Sequence, residues 1–233
     1  MRNFLRAWER AMLLSLPVFL LMGLLAGCSR GVAADVSPAP LSGEDRRLLQ
    51  RLVREARSAV WQAWQEGPPP RWQDYPYTTE RQGIIVRFVA GRKPRGCQAF
   101  YQGVGDLVLG ARLAALDAAF HDARYEPLRK EEAPDLVIEV CIVGPLVPMK
   151  GPGDFSLGKE LVYMVHPAGS VLMQPSLVRE HGWTKKAYLE ALCKKEGLPK
   201  EAWRDKGVVL YRASIKEWKE PFIQKEGEAT RRE

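Results

Sequence analysis

The chain has 233 residues, 46% of them hydrophobic and 27% charged, with a formal net charge of +7. That length supports one substantial core, either one compact domain or two tightly joined lobes. The positive charges are interleaved with acids, as in Lys130-Glu131-Glu132, so no basic face for nucleic acid stands out.

Arg2, Arg6 and Arg10 lead into Ala11 to Gly27, a stretch with no charge and many apolar residues. This is the layout of a secretory signal peptide. It closes on Leu25-Ala26-Gly27-Cys28, where small residues give a peptidase access to the backbone and the Cys28 thiol can accept lipid. An uncleaved membrane-spanning helix is the competing reading; the uncharged stretch is short for a span, and Pro17 and Gly23 interrupt it. The organisation expected is a leader over 1–27, a lipidated tether over 28–40, a folded domain over 41–220 and a charged tail over 221–233. Lipid on Cys28 makes the membrane the first expected partner, in the bacterial envelope. Ser29 in place of an aspartate favours the outer membrane where the host has one.

Ser42 and Asp45 mark a helix start, and Leu48, Leu49, Leu52, Val53, Ala56, Val60, Trp61 and Trp64 recur at helical spacing up to Gly67-Pro68-Pro69-Pro70. An aromatic loop holds Trp72, Tyr75 and Tyr77. Gly83–Ala90 reads as a strand, Gly91-Arg92-Lys93 as its turn, and Pro94 to Gln98 as the return. Leu107 to Asp122 is predicted helical, and its alanines let a neighbouring element pack close. Leu136–Val143 reads as a buried strand. A hairpin turns about Pro167-Ala168-Gly169, a helix runs from Thr184 to Gly197 burying Tyr188, Leu189 and Leu192, and Val208 to Ala213 is the last strand. Strands and helices alternate without a βαβ rhythm, which predicts an α+β fold with a mixed, mainly antiparallel sheet flanked by helices.

Four segments, in order, resemble the AMMECR-type domain, component A of the AmmeMemoRadiSam group. They are Arg95-Gly96-Cys97, Ala118-Ala119-Phe120-His121-Asp122-Ala123-Arg124-Tyr125-Glu126-Pro127-Leu128, Glu139-Val140-Cys141-Ile142, and Gly182-Trp183 followed by Tyr188 to Leu198. The similarity runs from about Leu41 to Glu220 and implies a mixed fold in two closely joined lobes. The chain departs from the family pattern at Ala99, where a second glycine is expected, at Glu160, where a histidine is expected, and at Gln174-Pro175-Ser176 in place of Leu-Pro-Gln. The resemblance implies radical-SAM and Memo-type partners in the cytosol. An exported domain would not meet them, so this chain is expected to be redeployed.

The candidate functional motif is Arg95, Gly96 and Cys97, with His121, Asp122 and Arg124 as supporting residues. Cations at Arg87, Arg92, Lys93 and Arg95 would favour a Cys97 thiolate, the nucleophilic form, and His121-Asp122 is the only base pairing in view. Two other readings of Cys97 stand beside this one: a small core residue, or half of a disulfide with Cys141 or Cys193. Asp122 and Arg124 are read foremost as a structural lock. No CxxC spacing or paired histidines appear, and His121, His166 and His181 are scattered, so neither metal nor cofactor is expected. The functional expectation is a module for a small ligand or an envelope protein. The alternative is a cysteine-dependent enzyme or redox protein acting through Cys97.

Overall fold

A computed structural model describes residues 36–70, 82–101 and 103–223. Cys28, the leader, most of the tether, the aromatic loop and the end of the tail lie outside the described residues. Among the described residues no helix is long and apolar enough to cross a membrane.

The N-terminal helix α1 (Gly43–Glu66) starts where expected, with the Ser42 hydroxyl accepting from the Asp45 N–H, and ends at Gly67. Strands β1 (Gly83–Ala90) and β2 (Lys93–Phe100) form the predicted hairpin. Helix α2 (Leu107–Leu116) runs on into one π-helical turn over Asp117–His121. β3 (Leu136–Val143) and the short β4 (Val147–Pro148) follow, then the hairpin of β5 (Glu160–His166) and β6 (Gly169–Met173). A six-residue helix α3 (Ser176–His181), α4 (Lys185–Lys195) and β7 (Val209–Pro221) complete the domain.

Among the described residues the strands make one seven-stranded antiparallel sheet in the order β2-β1-β3-β7-β5-β6, with β4 also on β7. β7 joins the two halves. Its first part, up to Ser214, pairs with β5, and its remainder, from Ile215, pairs with β3. The fold is therefore α+β with two cores on one sheet. Because side chains alternate along a strand, Ile84, Val86 and Phe88 of β1 point to α1 and α2 with Ile138, Val140 and Ile142 of β3. The second core lies between β5, β6 and α4, where the fully buried Tyr188 hydroxyl donates to the Met173 carbonyl. Between the two cores, the other face of β1 and β3 carries Ile85, Cys141 and Val143 against Leu161, Tyr163 and Ala213. This second face of the sheet holds the polar cluster described below.

Two boundaries differ from the sequence expectation. β7 continues well past Ala213, where three of its charges meet partners from other elements: Lys216 pairs with Asp45 at 2.6 Å, Glu217 with Arg179 and Glu220 with Arg57. Packing also extends beyond 220. Phe222 is fully buried among Trp61, Trp64 and Phe88, so the tail begins after it. At the other end, Val36 already rests on Gly158, whose backbone at φ +79° leaves no room for a β-carbon.

Candidate functional site

β2 is an edge strand of the sheet, and an edge leaves backbone donors and acceptors without a neighbouring strand. At Cys97 two side chains replace that neighbour. Asp122 Oδ2 accepts from the Cys97 N–H at 3.0 Å, and Arg124 reaches the Cys97 carbonyl at 3.4 Å. Arg124 also grips Asp122 through Nε at 2.8 Å and Nη2 at 2.6 Å. Burial would push the Asp122 carboxyl up, but Arg124 and the Cys97 N–H together hold it below the ordinary range. The expected lock between Asp122 and Arg124 is present, and the carbonyl it captures belongs to a strand rather than to a helix end.

The other two motif residues serve the same junction. A β-carbon on Gly96 would collide with the Ala118 carbonyl oxygen, which the π-turn presses against β2. Arg95 forms a two-point pair with Glu132 at 2.7 and 2.9 Å and also approaches the Glu126 carbonyl at 3.4 Å. His121 is not part of this arrangement: its Nε2 lies 2.8 Å from the Pro69 carbonyl oxygen. The structure therefore brings Arg95, Gly96, Cys97, Asp122 and Arg124 together and leaves His121 elsewhere. Asp122 faces the backbone of Cys97, so the His121-Asp122 couple is not assembled as a base for its thiol.

The Cys97 side chain lies on the second face of the sheet, directly across from Arg87 on β1. Burial pushes its thiol above the ordinary value, and the charges of Lys195, Arg124 and Arg87 oppose that push without reversing it. Of the sequence-nominated cations, Arg87 and Arg95 are both engaged with carboxylates. Lys195 comes from α4, nearly a hundred residues away, and nothing local in the sequence marks it. Its ammonium donates to the Leu172 carbonyl at 2.9 Å.

A disulfide to Cys97 is barred by register. Cys141 lies on β3, on the far side of β1, so about 10 Å separates the two strands, beyond the roughly 7 Å limit between bridged α-carbons. Cys193 sits in the other core. Cys97, Cys141 and Cys193, the cysteines among the described residues, are free.

Next to Cys97 the second face carries a buried charge cluster. Arg87 is 6% exposed and Glu139 5%. Arg87 forks onto Glu180 of α3 with both bonds at 3.2 Å and approaches Glu139 at 3.5 Å. Arg179 binds Glu217 and the Gly158 carbonyl. Gln174, one of the departures from the family pattern, is buried and donates to Cys141 Sγ at 3.3 Å. Acceptor atoms of Glu139, Cys141 and Glu217 lie within 4.8 Å of one another, a spacing a metal ion can bridge. Two guanidiniums already neutralise those carboxylates, which argues for a protein ion-pair cluster there. An open groove of about 790 Å³ lies nearby, lined by Arg95, Arg124, Tyr125 and Arg129, but Arg95 and Arg124 are committed to Glu132 and Asp122.

The AMMECR1 family model matches residues 53–218, most of the chain. The chain belongs to the AMMECR1 family. Relatives include a protein of Thermococcus gammatolerans, 29% identical over 187 residues that cover 76% of this chain and 87% of that one. Another, from Aquifex aeolicus, is 29% identical and covers 75% and 94% respectively. The crystal structure of the uncharacterized protein PH0010 from Pyrococcus horikoshii is similar with a TM-score of 0.66 at 27% identity, covering 75% of this chain and 92% of that one.

In this AMMECR1 domain the departures from the family pattern fall on packed or paired positions. Ala99 packs on the second face beside Ile85. Glu160 binds Arg212 at 2.7 Å and accepts from the Ser156 N–H. Replacing Gly96 by Ala is expected to cost about 1–3 kcal/mol through overpacking, read as a fall in the urea midpoint with little change in slope.

Proposed function

We propose that this AMMECR1-domain protein is a non-catalytic binding module for an anionic small ligand, held at the cell envelope by lipid on Cys28. The observation that carries the binding reading is that Cys97, opposite Arg87 on the sheet and bonded through its carbonyl to Arg124, has no base set beside its thiol among the described residues. Nucleophilic catalysis needs a base in hydrogen-bond reach of the nucleophile and an oxyanion site. His121 is bound to the Pro69 carbonyl and Asp122 to backbone, so neither activates the thiol. Arg87 and Arg124 are already paired with carboxylates, which leaves Lys195, donating to the Leu172 carbonyl, as the charge an anion can meet.

The anchor reading rests on the charged leader, the uncharged run to Gly27 and Cys28 behind two small residues. A single acyl chain binds a bilayer only marginally, so durable anchoring calls for more than one. Roughly eight residues separate Cys28 from Val36, a reach of at most about 28 Å when extended, so the domain would sit near the bilayer surface.

Cysteine-dependent chemistry is the second reading, favoured by the same cations around Cys97, and one experiment separates the two. The rate of Cys97 alkylation in the folded chain, followed against pH, is expected to be slow, with an apparent pKa above that of an ordinary thiol. Fast labelling with a low apparent pKa would instead make Cys97 an activated nucleophile. For the anchor, fractionation of cells should find the wild-type chain with membranes and the Cys28→Ser variant released. An unchanged distribution would remove lipid on Cys28 from the account.

A further inference from the structure

Helix α1 buries one side, with Leu49, Leu52, Ala56 and Val60 against the sheet and α2. At about 3.6 residues per turn, Arg47, Arg51 and Arg54 fall together on the opposite side, and all three are exposed. They span about 10 Å of helix. The same side continues through Ser58 and Gln65, also exposed. Along the sequence of α1, acids and bases are interleaved. Folding separates them, because most of the other charges of the helix are taken up by packed neighbours. Asp45 pairs with Lys216 at 2.6 Å, Glu55 with Arg112 at 3.3 Å and Arg57 with Glu220. Arg46 lies over the Trp218 ring, 5.7 Å from its centre. Among the described residues no ion pair or hydrogen bond holds Arg47, Arg51 or Arg54. Glu44, exposed in the first turn, stands to one side of them.

Exposed charges on a helix are ordinarily a solvated face. These three are set apart by their place in the chain. Roughly fifteen residues separate Cys28 from Gly43, at most about 50 Å of extended chain. Val36 is already seated on Gly158 within that stretch, so the helix is the first element after the tether and starts close behind it. A lipid on Cys28 therefore brings a bilayer within reach of the helix that carries the unpaired arginines.

We propose that the outer side of α1 is a docking surface for an anionic phospholipid bilayer, with Arg47, Arg51 and Arg54 on the headgroup phosphates. This rests on the anchor reading above and adds an electrostatic contact to the lipid. Each basic residue held near an anionic surface adds attraction, which fades beyond a Debye length. An acyl chain and a basic patch together make a stronger membrane signal than either alone. The outer side carries arginine, serine and glutamine rather than large apolar side chains, so the helix lies on the headgroups and does not sink among the acyl chains. The consequence is orientation. α1 covers one face of the sheet, and Cys97 and Ile85 lie on the other. With α1 against the bilayer, the face holding Cys97 and its charge cluster turns towards water, where a ligand can reach it.

The test is arginine modification by phenylglyoxal, read peptide by peptide by mass spectrometry, on the full chain isolated from its membrane. It is reconstituted into vesicles of phosphatidylcholine alone or of an equal mixture with phosphatidylglycerol. A guanidinium seated on phosphate is shielded from the reagent. Arg47, Arg51 and Arg54 should each react about five-fold more slowly on the mixed vesicles, and concentrated sodium chloride should restore their rates. Arg92, exposed in the β1–β2 turn, should react equally on both. Equal rates for the three arginines on the two vesicles, the result expected of a face built for an acidic protein, would overturn the docking surface alone. Slowing of Arg92 to the same degree would do so too, because the whole domain would then be responding to surface charge. A chain whose mass shows no lipid on Cys28 would overturn the anchor reading and the docking surface together.

Discussion

The guanidinium of Arg87 is the constraint around which the middle of this protein is arranged. It sits on a strand with neighbours on both sides, almost fully withdrawn from water, where a charge is tolerable only if paired. Its register places it opposite Glu139 on β3 and Cys97 on β2. Burial pushes the Glu139 carboxyl above the ordinary range while Arg87 opposes that push, so neither of the two is comfortable alone. The pairing is completed by Glu180, which brings α3 down over the sheet, with Arg179 and Glu217 making a second tie from the next residue of the same helix. The two cores share β7, and these ion pairs fasten α3, which follows the β5–β6 hairpin, to the first half of the sheet.

The Arg95-Gly96-Cys97 segment has a different role from the one its appearance invites. Its glycine admits a carbonyl oxygen of the π-turn, its arginine holds Glu132, and its cysteine backbone is sealed by Asp122 and Arg124. These contacts seal an edge strand and fix the position of the Cys97 side chain. The π-turn supplies the extra residue that brings Ala118 and Asp122 against β2; such turns interrupt helices where local geometry has a task beyond continuing the helix. Architecture at the edge and charge on the second face therefore meet at one residue, Cys97, which belongs to both.

Much of the fold is legible in the sequence because periodicity and punctuation agree. Ser42, the heptad-like apolar run and Gly67 define α1; the β1–β2 and β5–β6 hairpins are flagged by β-branched runs around Gly91 and Gly169. The second half of β7 is not, because Lys216, Glu217 and Glu220 look like a solvated surface until their partners on α1 and α3 are known. Helix α3 is too short to show a period. The site divides in the same way. Local motif residues are visible, and the Asp122–Arg124 lock follows from their spacing. Lys195 and Glu180 are brought to Cys97 and Arg87 only by tertiary packing, and the exclusion of His121 depends on Pro69, a residue that reads as a helix stop. The disulfide alternative falls for a reason that no spacing in the sequence contains, namely that β1 lies between Cys97 and Cys141.

The central claim is that Arg87 is a buried charge whose pairing holds the middle of the domain. The most direct test is the urea unfolding free energy of Arg87→Met alone and combined with Glu139→Leu. The single change leaves Glu139 buried without its cation and is predicted to cost about 3–5 kcal/mol, while the double change, which replaces both charges by apolar groups, should recover most of that loss. A single substitution costing less than about 1 kcal/mol, or a double variant no more stable than the single, would contradict it.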